Sequence, residues 1–174
     1  MIEALISSKT RIKLLLKLFL NPENSAHLRG LAEEFNESTN AIRMELNRFE
    51  QADMLTSEKQ GNRKIFRANK SHPLFSDVHN IILKMVGIDH IINFIIGKLG
   101  ELKQVYLTGD LANGINSDII DIIIVGKVNK TYLVELVEKA EQKINRRIRY
   151  LTFLPGEFKI PEDTKKKYVL IWNG

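Results

Sequence analysis

The chain has 174 residues, 44% of them hydrophobic and 27% charged, with a net charge of +5. That composition excludes a disordered chain and predicts packed cores, and the length divides into two small domains. The absence of cysteine excludes disulfides, thiolate zinc sites and cysteine nucleophiles, and the expected location is a reducing cytoplasm.

Met1 to Leu20 mixes Glu3, Lys9, Arg11, Lys13 and Lys17 with its apolar residues, which is not the texture of a signal peptide. Ile12, Leu15, Leu16 and Phe19, at i, i+3, i+4 and i+7, predict a first helix from Thr10 to Leu20, closed by Asn21-Pro22. Leu28, Leu31, Ala32 and Phe35 repeat the spacing in a second helix, His27 to Phe35. Only Asn36 and Glu37 intervene before Ser38, the expected N-cap of a third helix that reaches about Met54 with Ile42, Leu46 and Phe49 on one face. Thr56 to Lys59, a Gln60-Gly61-Asn62 turn and Arg63 to Ala68 predict two short strands around a glycine turn.

A helix that enters a major groove about 12 Å wide needs one apolar side docked on its own domain and polar side chains on the other. On a wheel with Ile42 at zero, Leu46 and Phe49 fall within about 40°, whereas Asn40, Arg43, Met44, Asn47 and Gln51 fall between about 100° and 200°. Asn40, Arg43, Asn47 and Gln51 are chemically suited to purine edges, and Ser38 and Thr39 stand where helix N-terminal amides can meet a phosphate. The next segment, Thr56 to Lys70, sets Lys59, Arg63, Lys64, Arg67 and Lys70 against a single acid, Glu58. Lys59, Asn62, Arg63, Lys64 and Arg67 are accordingly expected at phosphate or the minor groove, with Ile65 and Phe66 anchoring the hairpin.

The run SAHLRGLAEEFNESTNAIRMELNRFEQADMLTSEKQGNRKIFRANKSHPL, within a likeness that covers residues 10 to about 72, resembles the winged helix-turn-helix of bacterial regulators of the ArsR and MarR type. The resemblance implies a DNA-binding domain over residues 1–72 and a homodimeric transcriptional regulator acting on double-stranded DNA. Relatives that sense metals use clustered Cys and His. Here His27, His72, His79 and His90 are scattered, so neither metal nor cofactor is expected.

Residues 73–100 read as a helical connector broken at Gly87. Its most apolar stretch, Ile81 to Leu99, is interrupted by Lys84, Asp89, His90, Asn93 and Lys98, which predicts buried helix and no membrane span. Beyond Gly100 the pattern alternates: Gln104 to Thr108 extended, Asp118 to Val125 extended, Lys130 to Asn145 helical, Arg147 to Phe153 and Tyr168 to Trp172 extended.

Within residues 101–174, the segment VYLTGDLANGINSDIIDIIIVG resembles the signature of the polymerase-beta-type nucleotidyltransferase fold. In active members a Gly-Ser turn holds the triphosphate, and two aspartates at i and i+2 share one face of a strand, where they hold catalytic metal ions. This chain has Gly109-Asp110 at the turn, Ile119 in the place of the first aspartate, and Asp121 in the place of the second. Asp118, at i−3, is out of phase with Asp121, and Arg147 to Phe153 supplies no third acid.

The fold expected from these readings is α+β: an N-terminal winged helix-turn-helix followed by a small α/β nucleotidyltransferase-like domain with a mixed sheet. The function expected is a DNA-binding transcriptional regulator that reads a duplex operator with helix 38–54 and a basic wing 56–70, and not an enzyme. Gly109, Asp110, Asp118 and Asp121 are then vestigial, and the second domain is left to hold the dimer or to take a nucleotide or protein effector. Two other classes remain open: a divalent-metal nucleotidyltransferase, and a protein-interaction module that does not bind DNA.

Overall fold

Ser8 opens the first helix by accepting a hydrogen bond from the Arg11 amide at 3.2 Å. The helix, α1 (Lys9–Leu15), continues through a π-helical turn at Leu16–Leu20. A computed structural model describes residues 4–162 and 167–174, in two compact units that divide between Ile82 and Leu83.

In the first unit, β1 (Ala26–His27) precedes α2 (Leu28–Phe35), whose N-cap is His27, its Nδ1 accepting from the Gly30 amide at 3.1 Å. Asn36 ends α2 in the left-handed region, where an asparagine is tolerated at a helix C-terminus. Ser38 then caps α3 (Thr39–Gln51), and Asp53, also left-handed, turns the chain into β2 (Leu55–Gln60) and β3 (Arg63–Ala68). The sheet order is β1-β3-β2, all antiparallel, with Lys59 opposite Lys64 and Gln60 opposite Arg63 at the hairpin tip. Two helices joined by a tight turn, preceded by a short strand and followed by a hairpin that pairs with it, make the winged helix-turn-helix arrangement. The third helix stops at Gln51, three residues short of the expected Met54, because Ala52 and Asp53 leave helical geometry.

Ile42, Leu46 and Phe49 bury the inner face of α3, with the Phe49 ring 6.1 Å from that of Phe19, and Leu14, Leu18 and Leu31 are buried in the same unit. Each such side chain contributes roughly 1.5–3 kcal/mol on leaving water. Glu45 is buried on that same face, only 6% exposed. Its carboxylate takes Arg11 Nε at 2.9 Å, the Ser8 hydroxyl at 2.9 Å and Arg48 at 3.3 Å. Burial pushes the Glu45 carboxyl up, but the hydrogen bonds from Arg11 and Ser8, with the charges of Arg11 and Arg48, outweigh it and hold the group below the usual carboxylate range. Two further pairs bind α1 to the helix-turn-helix: Lys13 to Glu37 at 2.6 Å and Lys17 to Glu34 at 2.8 Å.

After α4 (Phe75–Val86), Gly87 adopts a φ of 87° and α5 begins at Ile88–His90, its helical course continuing through Ile91–Ile95 and Ile96–Lys98. A side chain at Gly87 would meet Ile144 at 3.0 Å, so close approach as well as backbone sign calls for glycine there. The second unit is built on a mixed sheet ordered β6-β5-β4-β7, from β4 (Leu102–Thr108), β5 (Ile119–Gly126), β6 (Arg147–Phe153) and β7 (Val169–Asn173). β5 is parallel to β6 and antiparallel to β4, and β7 is antiparallel to β4. The apolar run of β5 is therefore internal to the sheet. Between β5 and β6 runs α7 (Lys130–Ile144), capped by Asn129 and burying Leu133, Leu136, Val137 and Ala140, while Tyr106, Ile123 and Val125 on the other sheet face gather Phe153, Phe158 and Tyr168. A short turn of helix, α6 (Gly109–Ala112), which the sequence pattern did not predict, follows β4. Among the described residues no single helix is long and apolar enough to cross a membrane.

Arg11→Met should cost about 3 kcal/mol, the low end for leaving a buried carboxylate without its main partner, read from denaturant melts of the full chain. Folding lowers the Glu45 pKa from its unfolded value of about 4.3, so its contribution is complete above that pH and is lost as pH falls through the folded value. Glu37 is shifted the same way, since Lys13 and Thr10 outweigh the effect of burial. Thermal melts should therefore decline steeply below about pH 4.3, and Glu45→Gln should flatten that decline without abolishing it.

Candidate nucleic-acid interface

The burial of one face of α3 dictates what the other presents. Thr39, Asn40, Arg43, Asn47 and Gln51 are all exposed, as is Met44. Ser38 spends its hydroxyl on the cap, accepting from the Ala41 amide at 3.2 Å, so it orders the first turn and does not reach outward. The other amides of that turn have no partner within the helix and face whatever approaches its N-terminus. Among the described residues, Asn40, Arg43, Asn47, Gln51, Lys59 and Arg63 have no side-chain hydrogen bond or ion pair with the protein. Their polar groups are available to a ligand.

The wing divides into two sets. Lys59, Asn62 and Arg63 lie exposed at or beside its tip. Lys64 points back toward α3, its ammonium 2.6 Å from Glu50 and 5.1 Å from the Phe66 ring centroid. Hydrogen bonds from Lys64 and Ser57 hold the Glu50 carboxyl below the usual range. Arg67 pairs with Glu58 at 3.1 Å across the hairpin. The five wing residues singled out in the sequence are thus brought together, but two of the four cations are occupied by carboxylates of the same unit. The Glu45 and Glu50 contacts are what sequence reasoning missed. A wheel places Glu45 about 60° from Ile42, just beside the apolar arc, which is a signal; its partner Arg11 comes from a different helix and has none.

In the second unit, the motif residues separate. The pairing of β5 with β6 runs without interruption from Ile119 to Val125, so there is no bulge to bring Asp118 onto the face of Asp121. Asp118, expected at the start of the strand, is the residue before it, and its carbonyl accepts from the Arg147 amide at 2.8 Å. It borders a polar cavity of about 610 Å³ with Glu138, Glu141 and Arg146. Burial lowers the Arg146 pKa and the charge of Asp118 opposes it.

Asp121 opens instead on a different cavity, of about 350 Å³, with Thr108 and Arg149. The parallel register sets Arg149 directly beside it, and the guanidinium clasps the carboxylate with Nε–Oδ1 at 2.6 Å and Nη2–Oδ2 at 2.9 Å. A cation thus stands on the neighbouring strand beside Asp121. Gly109 adopts a φ of 69°, and a Cβ there would come within 2.3 Å of Asp121 Oδ2, so the turn that resembles a phosphate-holding loop is closed over by the protein's own carboxylate. Asp110 adds its charge to the same neighbourhood. Among the described residues no group of three or more His, Asp or Glu is placed to hold a metal ion.

No family model and no curated protein matches the chain. Among solved structures, parts of it are similar to reduced HlyU from Vibrio cholerae, at 12% identity over 53% of this chain and 82% of that one, with a TM-score of 0.37. AF1382 from Archaeoglobus fulgidus is similar at 18% identity over 53% of this chain and 97% of that one, TM-score 0.39. The adhesin competence repressor AdcR from Streptococcus pyogenes is similar at 16% identity over 53% and 72%, TM-score 0.38.

Gly109→Ala should destabilise the second unit by about 2–3 kcal/mol, combining a left-handed alanine with displacement of Asp121. In an Asp121→Ala background the same change should cost only about 1 kcal/mol, the backbone share. Equal costs in the two backgrounds, by chemical denaturation, would show that Asp121 does not fill the space beneath Gly109.

Proposed function

We propose that the chain is a DNA-binding transcriptional regulator that reads a duplex operator with helix 38–54 and contacts phosphate through the wing 56–70. The observation that carries the reading is the row of exposed polar side chains, Asn40, Arg43, Asn47 and Gln51, which have no side-chain partner among the described residues, on α3 beside Lys59 and Arg63 at the wing tip. Arginine reads guanine bidentately and asparagine or glutamine reads adenine, while wing cations gain affinity by releasing counterions from phosphate. Lys64 and Arg67 serve as positioning residues, since their pairs with Glu50 and Glu58 orient the wing.

The protein acts as a homodimer, because winged helices of this kind read half-sites about 34 Å apart. Support comes from exposed Ile81 on α4 beside an apolar groove of about 440 Å³ lined by Leu15, Phe49, Met54, Val78 and Ile82. The second unit is a nucleotidyltransferase-like fold without transferase activity, and it serves assembly or effector binding. The Asp121–Arg149 clasp and the Ile119 substitution support that part of the reading.

Gel shifts on selected duplexes test the first claim. Arg43→Ala and Asn47→Ala should each lose about 1–3 kcal/mol of discrimination between sequences. Arg63→Ala and Lys59→Ala should weaken binding to every duplex and shallow the salt slope by about one unit each. An Arg43→Ala protein with unchanged affinity and preference would mean that α3 is not the reader. Light scattering at micromolar concentration should give a dimer, and a monomer would remove the proposed assembly. No labelled nucleotide should be incorporated with Mg²⁺ or Mn²⁺, and Asp121→Asn should leave DNA binding intact; transfer abolished by that variant would establish an enzyme.

A further inference from the structure

On the reading of α3 as the base-contacting helix, one exposed residue is of the wrong chemistry for a solvated face. Met44 is 50% exposed, and the neighbouring exposed positions, Asn40, Arg43, Asn47 and Gln51, are all polar. On the helical wheel it stands about 200° from Ile42, closer to diametrically opposite the buried seam than Arg43 or Asn47. A helix seated in a groove by that seam's opposite side carries such a residue to the base edges, together with Asn40 and Gln51 at about 160° and 180°. Among the described residues, the other large exposed apolar side chains of this unit, Leu5, Leu74 and Ile81, lie off α3.

We infer that Met44 is a specificity-determining residue that packs against a thymine 5-methyl group in the major groove. Among base edges in that groove, the thymine methyl is the one large apolar feature, and apolar side chains discriminate it from cytosine. The thioether is unbranched and polarisable, which lets it follow a methyl group without a fixed rotamer. Met44 and Asn47 are at i and i+3, so their Cβ atoms are about 5–6 Å apart on one face. That separation places the thymine within one or two base pairs of the adenine that Asn47 reads. The half-site therefore contains closely spaced adenine and thymine, the first recognised by hydrogen bonds and the second by an apolar contact.

The experiment uses the full chain. Duplexes are selected from a random pool, and each thymine of the selected half-site is replaced singly by deoxyuridine, which removes the methyl and keeps the pairing. One replacement should weaken the wild-type protein about fourfold in Kd, the worth of one buried methyl group. Met44→Ala, an exposed substitution that leaves the core intact, should bind the two duplexes equally, and Met44→Leu should retain most of the difference. Equal binding of both duplexes by the wild type, or discrimination surviving in Met44→Ala, would overturn the inference. Salt-dependent binding with no selected sequence would also overturn it while leaving duplex binding standing, whereas no duplex binding at all would remove the proposed function as well.

Discussion

The buried side of α3 governs the first unit. Ile42, Leu46 and Phe49 leave water together, and Glu45 goes in with them. A buried carboxylate is costly unless its charge is met, and Arg11, Ser8 and Arg48 meet it. Because Arg11 and Ser8 belong to the start of α1, the rotation of α3 about its own axis is locked to the helix beneath it. Apolar burial is non-directional, whereas a bidentate guanidinium contact fixes geometry as well as adding energy. Side chains that read base edges, the role proposed for the exposed face, need that angular precision.

Charge in this unit is sorted by position. Lys13, Lys17 and Arg11 meet Glu37, Glu34 and Glu45 and hold the helices in register, and Lys64 and Arg67 do the same for the wing. Arg43, Lys59 and Arg63 are left without such partners among the described residues. The net charge of +5 is therefore a poor guide to the surface available to a polyanion. What counts is which cations have their charge satisfied within the fold.

In the second unit the charges of the motif aspartates are met from within the fold. The Asp121 carboxylate is neutralised from the adjacent strand by Arg149 and roofed by Gly109, and Asp118 lies at a separate cavity with Arg146. Each aspartate has thereby acquired an internal counter-charge. The arrangement stabilises the β5–β6 junction and sets Asp118 and Asp121 on separate cavities.

The sequence by itself determined the local and periodic features. The spacing of apolar residues gave the three helices, Ser38 and Asn36 marked their ends, and the glycine turn with flanking short strands gave the wing. The alternation after Gly100 gave the mixed sheet. These follow from interactions within a few residues, where helical or pleated geometry fixes which side chains share a face. Tertiary structure alone decided the pairings: Glu45 with Arg11, Glu50 with Lys64, and Asp121 with Arg149. It also moved Asp118 out of β5 and ended α3 at Gln51. Each of these depends on where a distant segment arrives, through strand register or helix docking, and charge attraction between distant segments leaves no period in a sequence from which it could be read.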